Sequence, residues 1–329
     1  MNGSKIGFSS ALITGGAGFI GSHLVDRLME SGVNVTVLDN LSAGKLSNIS
    51  RWLDNSRFKF IMGDMLNPGD VKKSMGNCEI VFHLAANPDV RIGAFNTRID
   101  YEQNILATYN LLEAMRESDC RSIVFTSTST VYGEAKKMPT PEDYGPLKPI
   151  SLYGASKLAC EALISGYSHL FGFKSVICRL ANIVGSRSGH GVIYDFINKL
   201  RSNPKTLEVL GDGTQRKSYL YVDDCVEALL IASEKSREQV EIYNVGSEDT
   251  VNVATIARIV IEEMGLSDVE IKYTGGVDGG RGWKGDVKEM LLDISKIKRL
   301  GWKPKLNSAE AVRRTSKCII SEIYQSGQG

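Results

Sequence analysis

No apolar run in this 329-residue sequence approaches the roughly eighteen consecutive residues that a membrane-spanning helix needs, which excludes a helical membrane protein. The chain enters its first apolar stretch almost at once, without a leader pattern, so the expected location is the cytoplasm. An excess of one charge is also missing. Lys and Arg number 39 against 38 Asp and Glu, and this balance offers no electrostatic footprint for nucleic acid or a membrane surface. Six cysteines stand at 78, 120, 160, 178, 225 and 318 without a CxxC pair, and the four histidines do not gather beside them. That argues against a zinc site and a disulfide framework, leaving free thiols and no expected metal. No Gly/Ser linker, block of like charge or internal repeat divides the chain. What remains is 42% hydrophobic and 23% charged residues, the composition of a soluble globular protein long enough for two lobes.

The organising stretch is Ala11-Leu12-Ile13-Thr14-Gly15-Gly16-Ala17-Gly18-Phe19-Ile20-Gly21. A short apolar run, read as a buried strand, breaks into spaced glycines and enters a segment with Ile20, Leu24, Val25 and Leu28 on one helical face. A turn without side chains lets an anion approach backbone N–H groups at a helix N-terminus, and a diphosphate fits that description. The spacing Gly15-x-x-Gly18-x-x-Gly21 is a variant of the dinucleotide fingerprint. Its context agrees. Val33 to Leu38 forms a second β-branched run ending at Asp39, where a carboxylate can hold a ribose 2′-hydroxyl and would repel a 2′-phosphate. The expected cofactor is therefore NAD rather than NADP.

Phe58 to Met62 reads as a third strand, followed by Asp64, either a helix cap or an acceptor for an adenine amino group. A fourth runs from Ile80 to Ala86 and is halted by Asn87-Pro88; Ala85 and Ala86 leave room for a ligand, and His83 reads as a core histidine. Residues Ile99 to Glu117 carry apolar side chains at helical spacing, and a fifth strand at Ile123 to Phe125 opens into the hydroxyl-rich run Thr126 to Gly133. Strands alternating with helices define the α/β class: a doubly wound parallel sheet (Rossmann-like) with a smaller mixed α/β substrate-binding lobe. The sheet lobe is expected over residues 1–180, rejoined by about 215–260, and the smaller lobe over 181–214 and 261–329. Ligands of such sheets sit at the C-terminal strand ends, so the glycine turn, Asp39, Ala85, Ala86 and Thr126 to Thr128 should face one crevice. Tyr153-Gly154-Ala155-Ser156-Lys157 opens a long helix and sets Tyr153 and Lys157 on one face. An ammonium held near a phenol favours phenolate and lowers its pKa from about 10.

Thr14 to Gly21, Thr126 to Gly133 and Tyr153 to Lys157 together resemble the extended short-chain dehydrogenase/reductases acting on nucleotide sugars, the NAD-dependent epimerase/dehydratase family, and most of all the archaeal type of UDP-galactose (UDP-glucose) 4-epimerase. The resemblance continues through Arg179 to Gly185, Tyr219 to Asp224 and Gly285-Asp286-Val287, nearly the whole chain. It implies that Tyr153 takes the proton of the sugar 4-hydroxyl, that Thr128 bonds the same oxygen, and that Lys157 binds the nicotinamide ribose, while hydride leaves C4 and returns to the other face of a rotated 4-keto sugar. NAD-binding residues implied with these are Gly15, Gly18, Phe19, Ile20 and Gly21; Asp39, Asn40, Asp64 and Met65; Leu84, Ala85 and Ala86; and Asn104, Thr126, Ser127, Tyr153, Lys157 and Leu180.

The implied substrate is a UDP-sugar, held by Thr128, Asn182, Val192, Ile193, Arg216, Lys217, Tyr219, Arg281 and Asp286. Dehydratases of the family carry an Asp-Glu pair after the active-site Thr, and the decarboxylases keep the Glu; this chain has Ser129 and Thr130, which favours plain epimerisation. Where many members have Arg-Asp before an aromatic, it has Lys217-Ser218 before Tyr219, and Trp283, flanked by Arg281 and Lys284, replaces a common arginine. Which cation meets the diphosphate therefore stays open, as does the sugar: UDP-glucuronate or UDP-N-acetylglucosamine epimerisation, 4-keto reduction and a non-catalytic NAD-binding regulator are the alternatives. The resemblance also implies a homodimer paired through the helices at 99–117 and 152–171.

Overall fold

The computed structural model describes residues 6–326. Strand β1 (Ser10–Thr14) runs into the glycine turn and α1 (Phe19–Glu30), then β2 (Asn34–Asp39), β3 (Phe58–Met62), α2 (Pro68–Met75) and β4 (Ile80–His83). After α3 (Thr97–Asp100) and α4 (Ala107–Arg116) come β5 (Ser122–Thr128), α5 (Leu152–Phe171) and β6 (Lys174–Leu180). The chain continues through β7 (Asn182–Val184), α6 (Val192–Ser202), β8 (Thr206–Val209), β9 (Arg216–Lys217), β10 (Tyr219–Tyr221), α7 (Val222–Lys235) and β11 (Val240–Val245). It closes with β12 (Val251–Asn252), α8 (Val253–Glu263), β13 (Glu270–Tyr273), β14 (Glu289–Met290), α9 (Ser295–Lys298) and α10 (Ser308–Ser326).

The seven-stranded sheet has the order β11-β6-β5-β4-β1-β2-β3. β1 lies parallel to both β2 and β4, β2 to β3, and β4 to β5. Strands covered on both faces must be apolar throughout, and Leu12, Leu38, Val81, Ile123 and Phe125 are accordingly buried with Leu111, Met115 and Ile164 from the helices. This is the doubly wound α/β fold that the alternation predicted.

Two compact units divide the chain: Met1–Val131, Ser151–Arg179 and Val226–Tyr243, and then Tyr132–Ile150, Leu180–Cys225 and Asn244–Gly329. Residues 132–150, 215–225 and 244–260, assigned to the sheet lobe from sequence, thus fall in the second unit. Hydrogen bonds within that unit explain the loop at 132–150. Tyr132 Oη donates to Asn244 Oδ1 at 2.8 Å, Thr140 N to Leu291 O at 2.9 Å, and Asn244 N to Glu142 Oε1 at 2.9 Å. In the same unit β10 pairs with β7, β13 with β8, and β9 lies between β12 and β14.

The helix expected over 99–117 is interrupted by a π-turn at Tyr101–Leu106. Side chains enter the ladder there: Thr108 Oγ1 donates to Asn104 O at 2.6 Å and Cys160 Sγ to the same oxygen at 3.3 Å. No helix among the described residues is long and apolar enough to cross a membrane.

Candidate active site

In the first unit, Gly15 stands at φ 71°, and a Cβ there would come 2.8 Å from Ala85 N. On Gly21 it would come 2.2 Å from Gly15 O, so the turn folds onto the end of β4 and the start of α1 only with glycine at both places. Gly18 is the N-cap of α1, with no side-chain cap and no acidic residue in the first turn. Such a helix end presents unpaired N–H groups and a positive dipole end, which suits a diphosphate.

Asp39, expected to face a ribose, spends part of its carboxylate on the turn. Oδ2 accepts from Ala17 N at 2.9 Å and Oδ1 from Leu41 N at 2.8 Å. Burial pushes its pKa up, and these two N–H groups oppose that rise. A carboxylate has about four acceptor sites, so each oxygen keeps a lone pair for a hydroxyl. Asp64 accepts from Asn40 Nδ2 at 3.1 Å and from Leu66 N at 2.8 Å, acting as a turn residue. Met65 is buried in the core cluster, whereas Phe19, Ile20, Leu84, Ala85 and Ala86 are half-buried around the turn and the end of β4. His83 is the satisfied core histidine expected: Thr14 Oγ1 lies 2.7 Å from Nδ1 and Thr108 Oγ1 3.0 Å from Nε2.

α5 begins at a capped turn, with Gly154 N donating to Ser151 Oγ at 3.1 Å, which sets Tyr153 and Lys157 on its first turns. Lys157 is buried, its Nζ donating to Thr126 O at 2.9 Å and lying 4.7 Å from the centre of the Phe125 ring. Burial draws its pKa down to about 8, opposed by Cys160, Glu161 and Asp100. Thr128 Oγ1 accepts from Thr130 N and Thr130 Oγ1, both at 3.2 Å, leaving its own proton to donate. The phenol of Tyr153 departs from expectation. Its pKa is raised, by burial first and then by Asp100 and Cys160, because burial outweighs the attraction expected from Lys157, whose ammonium is turned onto a backbone carbonyl.

Other residues expected at the cofactor also make hydrogen bonds within the protein. Asn104 Nδ2 donates to Ser156 Oγ at 2.8 Å, and its Oδ1 accepts from Asn87 N at 3.1 Å. Ser127 Oγ donates to Glu161 Oε1 at 2.5 Å, and Glu161 pairs with Arg179 at 2.7 Å, both nearly sealed from solvent. Thr126 and Leu180 are buried at the ends of β5 and β6. Sequence reasoning missed Asp100, Glu161 and Arg179 as parts of this region. A signal existed for two of them, since Asp100 precedes Asn104 by one helical turn and Glu161 follows Lys157 by one.

The second unit holds the expected substrate residues other than Thr128. Lys217 Nζ lies 2.5 Å from Asp286 Oδ1 and 5.4 Å from the centre of the Trp283 ring. Arg281 Nε donates to Asp286 O at 3.1 Å, and its guanidinium pairs with Glu134. Arg216 and Lys284 are exposed. Lys217 and Arg281 therefore gather around Asp286, and the other two cations do not. Tyr219 is buried, its N–H donating to Ser308 Oγ at 3.0 Å, while Asn182 is half-buried in β7. Val192 is half-buried at the start of α6, but Ile193 turns into the core with Phe196 and Ile197, as the helical period demands.

Comparison with known proteins places this arrangement in context. The model of the NAD dependent epimerase/dehydratase family matches residues 11–246. A putative UDP-glucose 4-epimerase of Methanocaldococcus jannaschii is 36% identical over 309 residues, 92% of this chain and 96% of that protein. Among solved structures, a UDP-galactose 4-epimerase is similar at 44% identity and a TM-score of 0.85, covering 95% of this chain and 99% of the other. A UDP-glucose 4-epimerase of Thermotoga maritima with UDP-glucose is similar at 33% identity and a TM-score of 0.84, with 95% and 99% covered.

Proposed function

Because this chain belongs to the NAD-dependent epimerase/dehydratase family, we propose that it is a UDP-sugar 4-epimerase that interconverts UDP-galactose and UDP-glucose. The observation that carries the reading is the grouping in one unit of Tyr153, Lys157 and a Thr128 with a free proton, followed by Ser129 and Thr130 where elimination or decarboxylation chemistry needs acids. NAD, when bound, supplies a reversible hydride acceptor.

The residues of the chain do the rest. The uncapped N-terminus of α1 and the glycine turn bind a diphosphate, and Asp39 accepts ribose hydroxyls on its remaining lone pairs while disfavouring a 2′-phosphate. Thr128 donates to the sugar O4, and Tyr153 takes and returns the O4 proton. A phenol whose pKa is raised is a weak acid whose anion needs a neighbouring positive charge, and Lys157, one helical turn on, is the group placed to supply it. Lys217 and Arg281 hold the nucleotide diphosphate, with Asn182, Val192 and Tyr219 shaping the nucleotide end and Asp286 orienting both cations.

Exposed Phe95, Tyr101, Tyr109, Leu152 and Leu170 on or beside the helical segments at 97–116 and 152–171 support a homodimer built on those helices. Six free cysteines fit a reducing cytoplasm, and a role in galactose metabolism follows from the proposed substrate alone. The test is incubation of the purified protein with UDP-galactose, first without and then with added NAD, followed by separation of the UDP-hexoses. UDP-glucose is the expected product; no conversion under either condition would sink the assignment of the sugar.

A further inference from the structure

One buried carboxylate in the first unit has no part in the scheme above. Asp100 closes α3 at 1% exposure, and its Oδ1 accepts from Asn87 Nδ2 at 3.0 Å and Asn104 Nδ2 at 3.5 Å. Its Oδ2 is buried without a hydrogen-bond partner. A buried carboxylate oxygen without a hydrogen-bond partner is unfavourable by itself. Gly93, in the single turn Ile92–Ala94, lies against it: a Cβ there would stand 2.4 Å from Oδ2 and 3.3 Å from Leu152 Cβ. Any other residue at 93 would therefore displace the carboxylate. α3 and this turn both pack against α5, the helix of Tyr153 and Lys157, and the Asn104 amide that Asp100 holds also bonds Ser156 on α5.

We infer that Asp100 is a positioning residue: seated against Gly93 and tied through Asn104 to Ser156, its carboxylate fixes the start of α5 and sets the charge balance of the Tyr153–Lys157 pair. The inference rests on the proposed epimerase reading for its catalytic meaning. Lys157 is faced by Cys160 and Glu161 on its own helix, by Asp100 from α3, by the Phe125 ring, and by His83 from β4, which burial keeps neutral with a pKa near 3. Asp100 is faced by Asn87, Lys157 and Tyr153; burial raises its pKa, and Asn87 and Lys157 oppose the rise. As an anion, Asp100 raises both partners: Lys157 keeps its proton despite burial, and it is that ammonium which supports the Tyr153 phenolate that takes the O4 proton.

The experiment is an NMR titration of the full chain carrying lysine labelled with carbon-13 at Cε, the Lys157 resonance being assigned by its loss in Lys157→Met. The midpoint in the parent chain is expected near 8. In Asp100→Asn it falls measurably, since one favourable charge is removed while burial remains. Turnover falls several-fold with KM for UDP-galactose unchanged. A folded Asp100→Asn whose Lys157 midpoint does not move overturns the inference. If that variant does not fold, Gly93→Ala takes its place: the new Cβ must push the carboxylate away, the same downward shift is expected, and an unmoved midpoint is equally fatal. The titration needs no turnover. A shift in a chain that converts no UDP-hexose sinks the epimerase reading and leaves the charge-setting role standing, whereas conversion without a shift does the reverse.

Discussion

The two units hold their functional side chains by different means. In the first, Tyr153, Lys157 and Thr128 come from short contiguous motifs on β5 and α5, with the nearly sealed pair Glu161 and Arg179, at 5% and 4% side-chain exposure, held to the neighbouring Ser127. In the second, the cations pair with segments distant in the chain, Lys217 with a buried Asp286 and Arg281 with Glu134 at 19% and 50%. A buried pair is costly to break because removing one partner strands a charge, whereas an exposed pair is screened and its loss is repaired by solvent. Glu161 is thus sealed in the interior with its partner, whereas Glu134 stays half in water.

Mutations break this contrast at graded depths. Tyr153→Phe should lower turnover by about 10³-fold or more while NAD binding, followed by fluorescence, is retained, because only the proton acceptor is removed. Glu161→Ala should cost about 3–5 kcal/mol of stability in urea unfolding, since Arg179 loses its carboxylate in the interior. Glu134→Ala should cost less than about 1 kcal/mol in the same assay. If the two variants melt alike, the contrast fails.

Lys217→Gln should raise KM for the UDP-sugar by roughly 10–100-fold with a small change in turnover, the loss of one charged hydrogen bond to a phosphate. The pH profile sharpens the first unit. Lys157 is protonated below its folded pKa of about 8 and neutral above it, so turnover should hold at neutral pH and fall as pH rises through that value, by about tenfold per unit beyond it. A profile level to pH 10 would show that the Lys157 charge is not needed. Arg216→Ala, in contrast, should leave KM within about twofold, because that side chain points into solvent.

Much of the first unit was legible. Glycine spacing, the β-branched run ending at Asp39 and the four-residue step from Tyr153 to Lys157 are local patterns with one geometric meaning each. The failures share a cause. The effect of Lys157 on the Tyr153 phenol was read from spacing alone, yet burial and Asp100 decide its direction. The internal partners of Asn104 and Asp64, namely Ser156, Asn87, Asn40 and Leu66, were not legible either, because they come from other segments or from turn geometry. Ile193 was counted with the substrate residues, although its helical phase already pointed it inward.

By itself the sequence determined the order of strands and helices and the glycine turn at the head of α1, because those depend on periodicity and steric freedom within a few residues. Tertiary structure alone decided that Lys217 meets Asp286, 69 residues away, that Arg281 meets Glu134, 147 residues away, and that Asp100 is sealed against Gly93. Burial and long-range pairing set both the charge of an ionisable group and the partner it keeps, and neither exists until the chain has closed on itself.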